Sequence, residues 1–522
     1  NKKYLIGYTE VHVARQMFPK RGKYKKGGKD MFRILTWKQL TAWAAAIILV
    51  ITCFSVAVLS TGANTDNGDK IVLTLCHWDN GGSTETNLVK EVCAAFEEKY
   101  NREIDEKNAA LEEEQEPYKK LKVQVSVISS YESQFNSIIA AQNVPDVFLV
   151  PDGNFGQWVK TGVMLDLTDY VEHSQVIDLD KVWPSAVDRY RYNGKTMGSG
   201  SIYCMPKDIT PYVMYYNKDI FDKYGVPYPD AETPWTPEEA LEYWSMFGYS
   251  RPEELGGSTV YVSGKTGETK IKDGHVYGVA KIYPESLIWS NGADYLSEDR
   301  TEVLIDSPEF IEVYDYIQQA TMDYCVTPTS NILSTTSEKT LFLNGEAACY
   351  IEGRSVTSDL RKQATFDWDI APIPAYEKDQ NCNGWSGSVG YAVYKNTPHP
   401  DIAYRLAEYF TSVEGQLIMT ESGFSIPLYN DEETIAKLYE YDAGKLPENT
   451  GEWLRAAKYQ RAGLWQYLPS VRWKDRMAED SGVMFESDPS KRATAEQFLT
   501  DERDIILGII KTDFPELFEG KK

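Results

Sequence analysis

The hydrophobic and polar positions of the first predicted elements follow two different periods. Residues 71–78 and 121–128 alternate apolar with polar side chains, and residues 145–150 form a short apolar run, which predicts three strands. Residues 86–100 and 131–142 place apolar side chains three and four apart, which predicts helices. The order β-α-β-α-β implies a largely parallel sheet with helices on its faces, so the predicted fold class is α/β.

Later segments continue this mixture of elements. The helical period recurs in residues 308–323, 401–419 and 491–510. The charged residues 101–120 are predicted to extend the preceding helix or to form a surface insertion. Residues 256–275 are polar and glycine-rich, which favours a surface hairpin.

An uncharged apolar run separates a basic start of the chain from an acidic remainder. Residues 40–59 carry no charge and are long enough to cross a bilayer as a helix. The first 40 residues hold eleven Lys or Arg against two acids, whereas the whole chain has a net charge of −24. The positive-inside rule therefore predicts that residues 1–39 are cytoplasmic and that the acidic body is outside the cell.

Three interpretations of residues 40–63 stay open. The run is an uncleaved membrane anchor, a signal peptide cut after Ala63, or, with Cys53, a lipidation site. Met31 begins the signal-like stretch, which leaves residues 1–30 as cytoplasmic or upstream sequence.

Composition and motifs argue against several classes of function. The acidic body would repel the phosphates of nucleic acid. The five histidines and the scattered cysteines form no zinc motif, and no phosphate-binding glycine loop is present, so we expect no metal, no cofactor and no enzyme. Ser388 stands where a G-x-S-x-G nucleophile elbow needs its second glycine. Carboxylate pairs for glycoside hydrolysis stay open, because their required separation is spatial. With 35 Tyr against 18 Phe, the body suits a polar binding surface.

Five segments in sequence order carry a family resemblance. They are LCHWDNGG (75–82), residues 133–171 around PDVFLV, residues 192–229 around PYVMYYNKDIFDKYG, FLNGEAACYIEGR (342–354) with WDIAPIPA (368–375), and residues 384–416 beginning GWSGSVGYAVYKN. Together they resemble the extracellular solute-binding proteins of bacterial ABC importers, the family that includes the maltose-binding protein. Single segments are weak evidence, but their common order is specific.

The resemblance implies a periplasmic-binding-protein-like fold of type II, with two α/β lobes, a hinge and a ligand cleft. It places the first lobe at 70–210 and 384–450, and the second at 211–383 and 451–522. It also implies a small-molecule ligand, here a sugar, and the membrane subunits of an ABC permease as partners. The protein is then expected at the extracellular face of the cell membrane, either anchored through its N-terminal segment or secreted.

By position in the family, aromatic and polar side chains of the predicted cleft loops are the candidate ligand contacts. They are Trp78, Asp79, Asn80, Asp152, Asn154, Asp208, Tyr212, Trp289, Asn291, Arg354, Trp385, Ser386 and Trp465. Rings stack on the apolar faces of a ligand, and carboxylates or amides bond its hydroxyls. Each candidate has a structural alternative, such as a turn at Asp152, hinge packing at Tyr212 or an ion pair at Arg354.

We therefore expect a carbohydrate-binding or oligosaccharide-binding protein that serves an importer. Two alternatives remain at this point: a membrane-anchored sensory ectodomain and a secreted glycan-active enzyme.

Overall fold

The computed structural model describes residues 70–519 and Gly68, apart from 80–82, 113, 248–250, 256–257, 263–268, 272–275, 469 and 487. The basic segment and the apolar run predicted at residues 1–63 lie outside the described residues. Within the described part, no helix is both long and apolar enough to cross a membrane.

The strands of the described chain fall mainly into two mixed sheets. They are β1 Lys70–Trp78, β2 Lys120–Ile128, β3 Val147–Pro151, β4 Arg191–Tyr192, β5 Ser201–Ile202, β6 Met205–Pro206, β7 Tyr212–Asn217, β8 Arg251–Leu255, β9 Ser258–Val262, β10 Thr269–Ile271, β11 Tyr277–Val279, β12 Ala347–Gly353, β13 Trp368–Ala371 and β14 Val389–Val393.

Helices follow and cover these strands. They are α1 Ser83–Ala109, α2 Tyr131–Ala140, α3 Asp152–Lys160, α4 Thr168–Glu172, α5 Pro184–Asp188, α6 Lys218–Tyr224, α7 Pro237–Phe247, α8 Pro284–Ser290, α9 Pro308–Met322, α10 Ser330–Leu333, α11 Glu338–Leu343, α12 Thr357–Gln363, α13 Pro400–Thr411, α14 Val413–Glu421, α15 Glu432–Asp442, α16 Gly451–Tyr459, α17 Arg472–Asp480 and α18 Ala495–Asp513. Short 3₁₀ turns include Leu464–Tyr467 and Pro515–Leu517.

The first sheet has the strand order β2-β1-β3-β14-β6. Strand β1 pairs in parallel with β2 and with β3, and the connecting helices α1 and α2 pack on the sheet, which confirms the predicted β-α-β-α-β order. Strand β14 returns much later in the chain and pairs antiparallel with β3 and β6. The sheet is therefore mixed, with its early strands parallel as predicted.

The second sheet has the order β11-β12-β7-β13, and its strand β7 is apolar on both faces. Met214 and Tyr216 enter a core shared with the C-terminal helices α17 and α18. Val213 and Tyr215 enter a second core on the other face. Because successive strand side chains point to opposite faces, the uninterrupted run YVMYY suits a strand covered on both sides.

The chain crosses from the first sheet to the second through residues 206–212. Thr210 still donates its backbone N–H to Gly387 O at 3.0 Å, whereas Tyr212 already pairs with Gly353 of β12. Gly353 packs so closely that a Cβ there would come within 2.0 Å of the Thr210 side chain. This position therefore requires glycine because of close approach rather than backbone conformation.

The predicted helix at 401–419 is wrong in one respect, since the segment forms two helices, α13 and α14. Ser412 lies between them with an extended backbone, and its hydroxyl accepts the Gly415 N–H at 3.3 Å as an N-cap. The charged segment 101–120 extends helix α1 as far as Ala109 and then leads into β2. Strands β9 and β10 pair antiparallel, as predicted for a hairpin in this region.

A buried ion cluster ties helix α15 to the second sheet. Both carboxylate oxygens of Asp442 accept from Arg354 Nη2, at 2.9 and 2.8 Å. Asp442 Oδ1 also accepts from Arg361 Nη2 at 2.7 Å. Arg354 is fully buried and Asp442 is 4% exposed. The single carboxylate thus bonds two guanidinium groups, of which the one on Arg354 lies away from water.

Asp442→Asn should destabilise the fold by about 3–5 kcal/mol, because it leaves buried guanidinium charge without its counter-ion. Urea unfolding at neutral pH measures the change. Glu440→Gln is the matched control in the same helix, since its pair with Lys437 is largely exposed, and it should cost less than about 1 kcal/mol. Equal effects of the two substitutions would contradict this assignment.

Candidate functional site

The candidate site begins at one edge of the first sheet. Strands β1 and β3 are parallel, so their carboxyl ends, at Trp78 and Pro151, meet the same edge. Strand β14 runs the other way, so the residues just before it arrive at this edge too. Sequence segments more than two hundred residues apart are thereby brought together.

Asp152 is the hub of the polar groups at this edge. Its carboxylate accepts hydrogen bonds from Arg189 Nη1 at 2.8 Å, from Ser388 N at 3.3 Å, from Gly153 N at 2.7 Å and from the Gln466 side chain. Burial raises the pKa of Asp152, and the charge of Arg189 opposes this shift. The carboxylate is thus bonded from several sides by the protein itself.

Arg189 extends this hub to the start of β14. Its side chain is 1% exposed and donates to Ser386 O at 3.0 Å and to Ser386 Oγ at 3.2 Å. The predicted candidates Asp152 and Ser386 are therefore brought together, through an arginine that sequence reasoning missed. The surrounding stretch AVDRYR offers no motif that distinguishes this arginine from a surface one.

A row of three aromatic rings lies where the chain crosses between sheets. The rings of Tyr212 and Trp385 stack with centroids 5.6 Å apart, and Tyr283 lies 5.1 Å from Tyr212. The indole N–H of Trp385 is buried and has no hydrogen-bond partner among the described residues. The predicted Tyr212 and Trp385 are thus neighbours, and Tyr283 joins them unpredicted.

Glu352 is the carboxylate associated with this row. It accepts the backbone N–H of Gly353 at 2.8 Å and the hydroxyl of Tyr350 at 3.3 Å, and burial raises its pKa. Burial, together with Glu352, raises the pKa of Tyr212 and of Tyr283, so both phenols keep their protons. Arg354 was the candidate chosen from the same YIEGR stretch, and Glu352 was missed because AACYIEG is apolar in successive positions and offers no alternation to single it out.

A second aromatic cluster lies in the core that the second sheet shares with the C-terminal helices. Trp289 and Trp465 stack with centroids 5.6 Å apart, and both are buried. Arg461 lies over Trp289 at 4.0 Å, and Lys474 lies over Trp465 at 4.5 Å. The two predicted tryptophans therefore meet, with cations on their faces.

The remaining candidates fall into two groups by accessibility. Trp78 is half-buried, Asp79 is exposed and Asn154 is half-buried in the first turn of α3. Asn80 lies outside the described residues. The buried group holds Asp208, which pairs with Lys207 at 2.6 Å, and Asn291, which donates to Glu309 O and to Glu312.

The charged or polar side chains of the buried candidates each pair with a residue inside the protein. Arg354 is fully buried and belongs to the ion cluster with Asp442. We therefore leave Asp208, Asn291 and Arg354 out of the ligand contacts proposed below.

Three contacts join residues of the first-sheet side to C-terminal turns. Asp152 accepts from Gln466, Lys160 pairs with Glu516, and Gly198 lies so near Tyr467 that an added Cβ would be 3.1 Å from the ring. Gln466 and Tyr467 belong to the turn Leu464–Tyr467, and Glu516 to Pro515–Leu517. These turns close over helix α3 next to the polar hub.

Comparison with known proteins yields a family and a fold. The family model described as "Bacterial extracellular solute-binding protein" matches residues 108–443. A maltodextrin-binding protein of Bacillus subtilis is 23% identical over 271 residues, which are 52% of this chain and 57% of that protein. The chain thus spans little more than half the length of the curated relatives it matches.

Solved structures with the same fold cover nearly all of the described body. An ABC substrate-binding protein of Listeria monocytogenes, solved with cycloalternan, has a TM-score of 0.64 at 22% identity and covers 85% of this chain and 99% of that one. The GacH receptor of Streptomyces glaucescens, solved unliganded and with acarbose, has a TM-score of 0.60 at 17% identity, with 85% and 98% coverage. These similarities show an α/β solute-binding fold with two lobes.

His77, behind the predicted contact Trp78, should make stability depend on pH. It is fully buried, and burial together with Lys207 lowers its pKa to about 3. It is therefore neutral at pH 7, and its 3.6 Å approach to Glu85 is no ion pair. Below pH 6.5 the unfolded chain binds a proton there that the folded chain does not, so stability falls with falling pH.

His77→Gln should remove this contribution. Between pH 7 and pH 4.5, the free energy of unfolding of the wild type should fall by roughly 2–3 kcal/mol more than that of the variant, at about 1.4 kcal/mol per pH unit. Urea unfolding across this range measures the difference. His173→Gln, at an exposed histidine, should keep the pH dependence of the wild type. A His77→Gln profile parallel to that of the wild type would show that His77 does not contribute.

Proposed function

The chain belongs to the bacterial extracellular solute-binding protein family, and on that premise we propose that it binds a carbohydrate for an ABC importer. The ligand is an oligosaccharide or other neutral sugar held between the two lobes, and the partner is the membrane permease of the importer. The observation that carries the proposal is the row Tyr283, Tyr212 and Trp385 at the crossing between the two sheets.

The chemistry of this row suits a sugar. Sugar rings have apolar faces that stack on aromatic side chains and hydroxyls that need donors and acceptors. The protonated phenols of Tyr212 and Tyr283 can do both, and the indole N–H of Trp385 is a donor without a partner in the described part of the chain. Glu352 adds an acceptor for hydroxyl groups.

The names of similar proteins support the same class of ligand. The relatives are described as binding maltodextrin, cycloalternan or acarbose, all of them carbohydrates. Trp78, Asp79 and Asn154 are proposed as further contacts, because they lie at the same edge of the first sheet as the polar hub. Asn80 keeps its predicted role, since it follows Asp79 directly.

We assign the lobes as the sequence predicts, with 70–210 and 384–450 in one and 211–383 and 451–522 in the other. In support, every strand of the five-stranded sheet falls in the first set and every strand of the four-stranded sheet in the second. Helix α15 packs at the boundary, since Asp442 reaches Arg354 of the second set.

The family is extracellular, which agrees with the basic residues that precede the apolar run. We propose that residues 40–63 hold the body at the outer face of the membrane or release it after cleavage. Mass spectrometry of the mature N-terminus from the native host separates the retained, cleaved and lipidated forms. A mature protein recovered only in the cytoplasm would contradict the proposal.

A panel of maltodextrins, cyclic glucans and other oligosaccharides should contain a ligand that raises the melting temperature and changes tryptophan fluorescence. A ligand that binds the native state alone stabilises it by about 2.7 kcal/mol at a hundredfold excess over Kd. Calorimetric titration then gives the affinity. If no member of a broad panel shifts the melting temperature, the carbohydrate assignment fails.

Trp385→Ala should weaken the affinity for such a ligand by about tenfold or more, because it removes both a stacking surface and a donor. Titration calorimetry of the folded variant measures the loss. Tyr118→Ala is the control, since this residue is 56% exposed and lies in the β1–β2 connection, and the affinity of the variant should equal that of the wild type. Unchanged affinity in Trp385→Ala would remove the aromatic row from the site.

A further inference from the structure

A buried charge cluster lies directly behind Trp78. The Lys207 ammonium is 2.8 Å from Glu85 Oε1 and 2.6 Å from Asp208 Oδ2. Lys207 is fully buried, Glu85 is 5% exposed and Asp208 is 6% exposed. The neutral His77 adds no charge, so the three groups form a compact cation with two carboxylates.

Glu85 uses its two oxygens for two different partners. Oε1 accepts from Lys207, and Oε2 accepts the indole N–H of Trp78 at 3.0 Å. Glu85 lies in the first turn of α1, the next described element of the chain after β1. One carboxylate therefore joins the indole at the end of β1 to a charge buried in the interior.

Lys207 lies in the chain that crosses between the sheets. Its backbone N–H donates to Val389 O at 2.8 Å, and its carbonyl accepts from Gln416 Nε2 at 2.7 Å. The neighbouring Asp208 accepts the Val389 N–H at 3.0 Å through its other oxygen. Both ends of the Lys207 residue, its backbone and its ammonium, are therefore held in place.

We propose that Glu85 is a positioning residue for Trp78 and that Lys207 couples this indole to the crossing segment 206–212. The inference rests on the proposed function, because it takes Trp78 as a ligand contact. A ligand that stacks on Trp78 then acts through Glu85 and Lys207 on the segment that joins the lobes.

The strength of this coupling follows from burial. The Lys207 ammonium is shielded from water, so water cannot replace a carboxylate that it loses. If Glu85 moves away, Lys207 therefore loses one of its two charged partners. Hydrogen bonds to charged groups are also stronger than neutral ones, so the carboxylate fixes the indole more firmly than an amide would.

Glu85→Gln separates the two contacts. Trp78 and Lys207 bond different oxygens of the carboxylate, and the amide replaces one of these oxygens by an NH₂ donor, so only one of the two contacts can keep its position. Lys207 and Asp208 remain as a neutral pair, which spares the interior an unbalanced charge. If this variant does not fold, Glu85→Asp takes its place in the test. It keeps the negative charge and shortens the side chain by one methylene group.

The first measurement needs no ligand. In full-length protein labelled with 5-fluorotryptophan, the fluorine resonance of Trp78, assigned with Trp78→Phe, should shift or broaden in Glu85→Gln. It should stay unchanged in the control Glu414→Gln, whose carboxylate pairs with Lys99 at the surface. A Trp78 resonance that superimposes on that of the wild type in folded Glu85→Gln overturns the proposal.

The second measurement is a double-mutant cycle with maltoheptaose or the best sugar of the panel. In the wild-type background, Glu85→Gln should weaken the affinity for the sugar by about tenfold. In the Trp78→Ala background it should have no further effect. An equal loss in both backgrounds would indicate a merely structural role and overturn the positioning. If the wild type binds no sugar, the proposed function fails, and the fluorine resonance alone decides the positioning of Trp78.

Discussion

One continuous stretch of chain, residues 205–217, supplies a strand to each of the two sheets, and the rest of the molecule is arranged around it. Met205 and Pro206 pair with β14, and six residues later β7 is the strand that pairs with both β12 and β13. Thr411 Oγ1 donates to Pro206 O, and Gln416 donates to Lys207 O, which fixes the first part to the first sheet. Along this stretch, movement between the sheets would be absorbed near Pro211, between Thr210 and Tyr212.

The polar hub and the aromatic row both include residues of the chain that leads into β14. The hub joins Asp152 to the turn that holds Gln466, and the row joins Trp385 to Tyr212. Asn383 donates to the carbonyl of Tyr212 at 2.9 Å, so the returning chain is tied to the outgoing one. A solute bound here would touch segments from both sheets at once, which is the arrangement that a closing receptor needs.

Local periodicity was sufficient to predict the early strands and helices, because alternation and helical spacing are properties of neighbouring residues. The break at Ser412 was missed, since the apolar spacing continues through it and only the cap reveals it. The family resemblance selected Tyr212, Trp385, Trp289 and Trp465 one by one as ligand contacts, and the structure shows that they form two ring pairs. It did not reveal Arg189, Gln466 or Glu352, whose importance depends on partners distant in the chain.

Buried ion pairs were the least predictable features. Arg354 and Asp442 are separated by 88 residues, and Lys207 and Glu85 by 122. No spacing rule links such residues, and a lone charged side chain in a sequence looks the same at the surface as in the interior. Only the packed structure shows which charges have left water.

The pairing of acids with bases at the hub and at the second aromatic cluster has a consequence for selectivity. Asp152 is matched by Arg189, Glu285 by Lys474 and Asp294 by Arg461. At distances longer than its own charge separation, each pair acts as a dipole rather than a charge, and its field decays faster than that of a single ion. Carboxylates are plentiful in this acidic protein, yet these three attract few mobile counter-ions, because each already has a basic partner. A neutral solute entering among them would have few counter-ions to displace.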